Sequence, residues 1–328
     1  MIQKSIDNQV KNTRNMAISA TRCVAMVFII LCHFMQYYDS ELAWWFNVGV
    51  HMFLFMSGFL YGNKDIDSPV GFVAKNLKKI LVPYYCFLIP AIALYYFFAR
   101  DVITKQNALM ALFCSGTIEG IEHLWFVSYI LFCYILTPYL SDLVKKWRGI
   151  SWLQFLIRCF IALAVGFVLS WAFQSYFGYN CVICYLLGYF ASAFLHQYGQ
   201  QLFNRLSYIV IVLAFVVNAF RIYCKYIINF QFIGFGPFEV YAHVLLGMGL
   251  VLLGMIVFKN VKENIVLKTV DKYSYYIYTV HQLFILSPFT LLALTQNDAL
   301  NCVLAIVAIC IAAVVLKFVS DKIVLGSK

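Results

Sequence analysis

Ten stretches of this sequence are apolar for roughly the length a helix needs to cross the hydrocarbon of a bilayer, about 20 residues at 1.5 Å each. They are Ala17–Met35, Trp44–Tyr61, Ile80–Ala99, Leu124–Leu140, Trp152–Trp171, Tyr179–Leu195, Leu206–Phe220, Val240–Phe258, Ser274–Leu294 and Ala299–Val319. Hydrocarbon offers the backbone no water to bond, so each stretch must close its hydrogen bonds internally, as an α-helix does. The expected fold is all-α, a polytopic integral membrane protein of about ten transmembrane helices. Composition agrees, with 63% of the 328 residues hydrophobic and only 12% charged. Soluble domains carry about 25% charged residues. Too little polar surface remains to clothe a globule in water, which excludes an ordinary soluble enzyme, a disordered chain and a nucleic-acid-binding domain.

The net charge of +10 reads as membrane orientation, not as a footprint for nucleic acid. With the N-terminus inside, alternate segments collect 19 of the 24 basic residues, among them Lys75, Lys78, Lys79, Lys145, Lys146, Lys268 and Lys272. The intervening segments hold only Arg100, Lys105, Arg221 and Lys225, and Arg158 lies within a span. That alternation fits ten spans with both termini cytoplasmic. The first apolar run lacks an Ala-x-Ala-like cleavage site, so it reads as a retained span rather than a signal peptide. The ninth contains Ser274, Ser287 and Pro288, which blur its ends, and a short amphipathic or re-entrant piece is expected around Ala108–Cys114.

No linker, repeat or charge block divides the chain. It reads as one membrane domain over 1–328, a helical bundle at about 17–319 without a separate soluble module. Most of the eleven cysteines sit in apolar runs and read as small buried hydrophobes. The Cys181-x-x-Cys184 pair lies within a predicted span, and no metal site or tightly bound cofactor is expected.

Chemistry must then come from polar groups in or beside the helices, where charges and imidazoles are costly and usually face a cavity or partner. Arg22 and His33 are eleven residues apart, about three helical turns, so they share a face about 16 Å apart along the axis. Arg22 also reads as a basic residue reaching to the interface, and His33 as a packed histidine bonded to backbone. Gly58 and Gly62 have the spacing of close helix packing, beside His51 and Ser57. Lys75, Lys78 and Lys79 suit either an inner-face cluster or phosphate binding. Glu122 and His123 can line a vestibule beside Trp125, a natural interfacial anchor. Tyr275, Tyr276 and Tyr278 fit an aromatic belt, but His281 does not. His196 and His243 lie near span ends and read as surface groups.

Taken in order, these segments resemble the membrane acyltransferase 3 family. The likeness runs through Arg14-Asn15-Met16 to Arg22 followed by His33, Gly49-Val50 to Ser57-Gly58-Phe59, and Lys78-Lys79-Ile80-Leu81-Val82-Pro83-Tyr84. It continues through His123-Leu124-Trp125-Phe126 and the late Tyr278-x-x-His281 pattern, spanning roughly Arg14 to Val319. Ser19 stands where the family commonly has an acid, removing an expected partner for Arg22 or Arg14. Lysines stand where arginine is frequent. The resemblance implies an O-acyltransferase of the bacterial plasma membrane. It would move an acyl group, usually acetyl, from acyl-CoA to a hydroxyl of a surface polysaccharide or lipid-linked saccharide. His33 would be the general base. Arg14, Arg22, Lys78 and Lys79 would attract the CoA phosphates, while Ser57 and His281 would shape the pocket. The rival expectation is a transporter or flippase for an envelope glycan precursor.

Overall fold

The computed structural model describes residues 16–115, 118–172, 176–286 and 288–326. Among the described residues the chain is all-helical. The helices are α1 (Met16–Tyr37), α2 (Leu42–Phe46), α3 (Val48–Phe59), α4 (Pro69–Phe98), α5 (Lys105–Leu112) and α6 (Trp125–Lys145). They continue with α7 (Trp152–Ala172), α8 (Tyr176–Tyr198), α9 (Gln200–Ile222), α10 (Phe235–Val257), α11 (Ile265–Ile285) and α12 (Asp298–Gly326). Nine helical segments among the described residues are long and apolar enough to cross a membrane, α2 and α3 counting as one. The short piece expected near Ala108 is α5, opened by a reciprocal Thr104–Asn107 cap.

One expected span is displaced. Apolarity places the start of the ninth at Ser274, but α11 begins at Ile265, where the Asn264 side chain accepts the Leu267 N–H at 2.9 Å. It stops at Ile285 as Leu286 turns extended, two residues before Pro288, which cannot continue a helix. The shift adds a polar first half carrying Lys268, Asp271 and Lys272. For that reason α11 is not among the nine segments that are apolar enough along their length to cross a membrane.

Helices α3 and α8 are among the most buried spans, whereas α7, α9 and α12 are largely exposed apolar surface, as lipid-facing helices are. Small residues allow α3 and α8 to approach closely. A Cβ on Gly58 would strike the Tyr185 carbonyl, and one on Gly188 would strike the Phe55 carbonyl from the other side. Gly62 meets the Tyr189 carbonyl in the same way. Backbone cannot yield as a side-chain tip can. Gly188→Val should therefore cost about 1–3 kcal/mol or more, read as a lower melting temperature of the purified protein. An unchanged melting temperature would show that the two helices do not pack this way.

Candidate active site

Helix α1 carries Arg22 and His33 along one face, and α11 runs beside it. Asp271, Tyr275, Tyr278 and Gln282 fall at i, i+4, i+7 and i+11, one stripe of α11. Arg22 forms an ion pair with Asp271, whose side chain is 2% exposed, and the Ser19 hydroxyl donates to the same carboxylate at 3.0 Å. The expectation that Ser19 deprives Arg22 of a partner is thus corrected. The acid is supplied by α11, and Ser19 is small enough to join it.

Removing one member of a buried pair costs about 3–5 kcal/mol, and Arg22 keeps 20% of its side chain exposed. Asp271→Asn is therefore expected to destabilise by about 2–3 kcal/mol, and Ser19→Ala by about 1 kcal/mol. Chemical denaturation in detergent measures both. Equal stability of Asp271→Asn and the parent would remove the ion pair from the account.

At the other end of the stripe three imidazoles gather. The His33 ring centroid lies 4.9 Å from that of His281 and 6.2 Å from that of His123, with His123 and His281 4.7 Å apart. Gln282 organises them. Its Oε1 accepts the His123 backbone N–H at 2.8 Å, and only an oxygen can do so. Its Nε2 is therefore the atom 3.4 Å from His33 Nδ1. His33 Nδ1 also meets Gln36 Oε1 at 2.5 Å.

The other two rings are more committed. His123 places Nδ1 2.6 Å from Gln282 Oε1 and Nε2 3.1 Å from the Thr279 carbonyl. The Tyr278 hydroxyl donates to the His123 carbonyl. His281 Nδ1 lies 2.6 Å from the Tyr278 carbonyl, and the residue is fully buried. Among the described residues no three His, Cys, Asp or Glu side chains are placed to hold a metal ion.

Two cavities open along the stripe. The basic chamber, about 640 Å³, is lined by Arg22, Lys79, Lys268, Lys272 and Lys317, with Asp271, Ser57 and Tyr275. The histidine chamber, about 430 Å³, is lined by His33, His123, Gln36, Gln282, Glu122 and Trp125, with Glu41, Trp44 and Asn47. Ile29, Val50 and Tyr278 line both. These side chains form a shared wall between a cationic space and an imidazole, the constriction that any route between the two would cross.

Of the residues singled out from sequence, Arg22, Lys79, Ser57, His33, His123, Glu122, Trp125 and Tyr278 line one chamber or both. His281 packs behind His33 without lining either, and Lys78 is exposed outside the linings. Arg14 lies outside the described residues. His51 packs on His243 at 5.0 Å and lines a separate side hollow. His243 is correspondingly buried at 3% exposure, not a surface group. Its ring also meets Trp44.

The acyltransferase 3 family model, described as an acyltransferase domain, matches the chain over residues 15–321. The chain belongs to the acyltransferase 3 family. No curated protein and no solved structure shows significant similarity to it. Membership of this membrane acyltransferase family supports an O-acyltransferase-like enzyme. In an acyltransferase 3 protein the paired chambers acquire a chemical meaning that a helical bundle alone would not give them. Asp271, Gln36, Gln282 and Trp44 went unrecognised in the sequence. The signal for Asp271 was its helical spacing from Tyr275, Tyr278 and Gln282.

Proposed function

We propose that this protein transfers an acyl group, acetyl above all, from acyl-CoA to a hydroxyl of a cell-surface polysaccharide or its lipid-linked saccharide precursor. The whole chain acts as one membrane unit in the bacterial plasma membrane, with both termini and the basic chamber on the cytoplasmic side. Acyl-CoA is a substrate, and no cofactor is tightly held. The observation that carries the reading is the meeting of a five-cation chamber and the His33 chamber at Ile29, Val50 and Tyr278. Phosphates need fixed cations, and the transferring carbonyl needs a base with room for a second substrate.

The CoA phosphates bind Arg22, Lys79, Lys268 and Lys272, Lys78 attracts the donor from the surface, and the charge of Arg14 adds to that attraction. The pantetheine arm passes the constriction and presents its thioester to His33. With Nδ1–H donating to Gln36, His33 holds the lone pair of Nε2 toward the acceptor hydroxyl. Nε2 takes the hydroxyl proton as that oxygen attacks the thioester carbonyl carbon, and the carbonyl electron pair moves to its oxygen. Collapse of the tetrahedral intermediate breaks the carbon–sulfur bond. The imidazolium returns the proton to the departing thiolate, leaving an ester and free CoA.

The direct test supplies isotopically labelled acetyl-CoA and envelope glycan to the purified protein and follows the added mass. Transport of unmodified glycan without any mass gain would favour the flippase reading instead. Replacing Lys79, Lys268 and Lys272 together by glutamine should raise the donor KM by about tenfold or more with a smaller change in kcat. An unaltered donor KM would remove the phosphate assignment.

A further inference from the structure

We infer that the histidine chamber is built for a neutral or amino sugar and discriminates against uronic acids and other anionic saccharides. The inference rests on the transferase reading and adds to it the charge class of the acceptor. Formal charge is sorted sharply between the two chambers. Among the described residues, all the lysine and arginine side chains that line them face the basic chamber, whereas the histidine chamber has two carboxylates, Glu41 and Glu122, and no lysine or arginine. Glu122 is held in place by accepting the Gly120 N–H at 3.0 Å.

A nearby cation does not reverse this balance. Arg221 is 1% exposed and lies behind Trp44, its guanidinium carbon 3.6 Å from the indole centroid. Its Nε is 3.8 Å from Glu239, which also binds Lys225. The stack fixes Trp44 as a rigid wall of the chamber, and Trp125 supplies a second aromatic wall.

Indole faces suit the C–H face of a pyranose, and the Gln36 and Asn47 amides can both give and accept hydrogen bonds with hydroxyls. At about 430 Å³ the chamber has the size of an ordinary small-molecule site. The adjoining hollow of about 270 Å³ shares Asn47, Val50 and Trp125 with it. That hollow adds His51, Tyr129 and Asn180 and, among the described residues, no formally charged side chain. A chain of neutral residues can therefore continue from the reacting sugar, whereas a carboxylate would meet Glu122 or Glu41 without a cation to offset it.

The test uses the full-length protein in nanodiscs with labelled acetyl-CoA and three oligosaccharide libraries of matched length, composed of N-acetylhexosamine, hexosamine or uronic acid units. Ester formation is read by mass spectrometry, and acetyl-CoA binding is measured separately by calorimetry. The neutral and amino libraries should be acylated with kcat/KM at least about tenfold above the uronic library. The double variant Glu41→Gln, Glu122→Gln should narrow that ratio by about tenfold. Preference for the uronic library in the parent protein, or an unmoved ratio in a folded variant, overturns the charge assignment and leaves the transferase reading standing. Acetyl-CoA that binds but is passed to none of the libraries counts against the transferase reading itself.

Discussion

Replacing His33 by alanine is expected to lower acyl transfer by about 10²–10⁴-fold, the range that a positioned general base contributes. Acyl-CoA affinity should be nearly unchanged, because the lysines of the basic chamber lie beyond the constriction. Membrane abundance should also hold, since His33 is only partly buried, with Nδ1 bonded to the Gln36 side chain rather than to the backbone and Gln282 in contact beside it. The variant leaves His123 and His281 in place, so it asks whether the neighbouring rings can substitute. They should not, because His123 directs both ring nitrogens at oxygens and His281 lies outside the chamber. Full transfer by purified His33→Ala protein would take the base away from His33. A rapid-quench search for labelled protein without acceptor adds a second reading. Label that forms on the parent and vanishes with His33 would replace base catalysis by an acyl-imidazole intermediate.

The sequence makes the helices legible because crossing hydrocarbon is a local demand that every span must meet by itself. The alignment of Arg22 with His33 is legible for the same reason, being a property of one helix. Gathering is another matter. His33, His123 and His281 come from α1, the turn before α6, and α11, and nothing in the period of any one segment states that they meet. Asp271 was hidden by a different effect. An apolarity reading starts α11 at Ser274, whereas the Asn264 cap starts it at Ile265 and brings the acid into the same stripe as Tyr278 and Gln282. Amphipathic helices that line cavities are the ones such a reading shortens, since their polar residues resemble loop. Trp44 and His243 were missed for the converse reason. Their apolar or span-end positions fit unremarkable roles until the chain folds Trp44 against Arg221 and His243 against Trp44.

The constriction offers the second large effect. Val50 lines the basic chamber, the histidine chamber and the side hollow, and it is buried at 7% exposure. An indole in its place would fill the space between Ile29 and Tyr278 through which the thioester arm is proposed to pass. Val50→Trp is therefore expected to reduce transfer by about 100-fold or more, the loss that follows a misplacement of about 1 Å between reacting groups. Acetyl-CoA binding, measured by calorimetry, should change little, because the cations are untouched. Val50→Ala should keep transfer of acetyl and extend it to bulkier acyl groups, which separates blockage from a general loss of fold. The pair of variants bears on the central geometric problem of such an enzyme. In the proposed reaction the donor is held by its phosphates at one end of the bundle, while His33 lies about 16 Å from Arg22 along α1. Only a route through the protein joins them, since lipid would not accept the polar arm. If Val50→Trp transferred acetyl as fast as the parent, the thioester would have to reach His33 by another path, and the basic chamber would lose its claim to the donor.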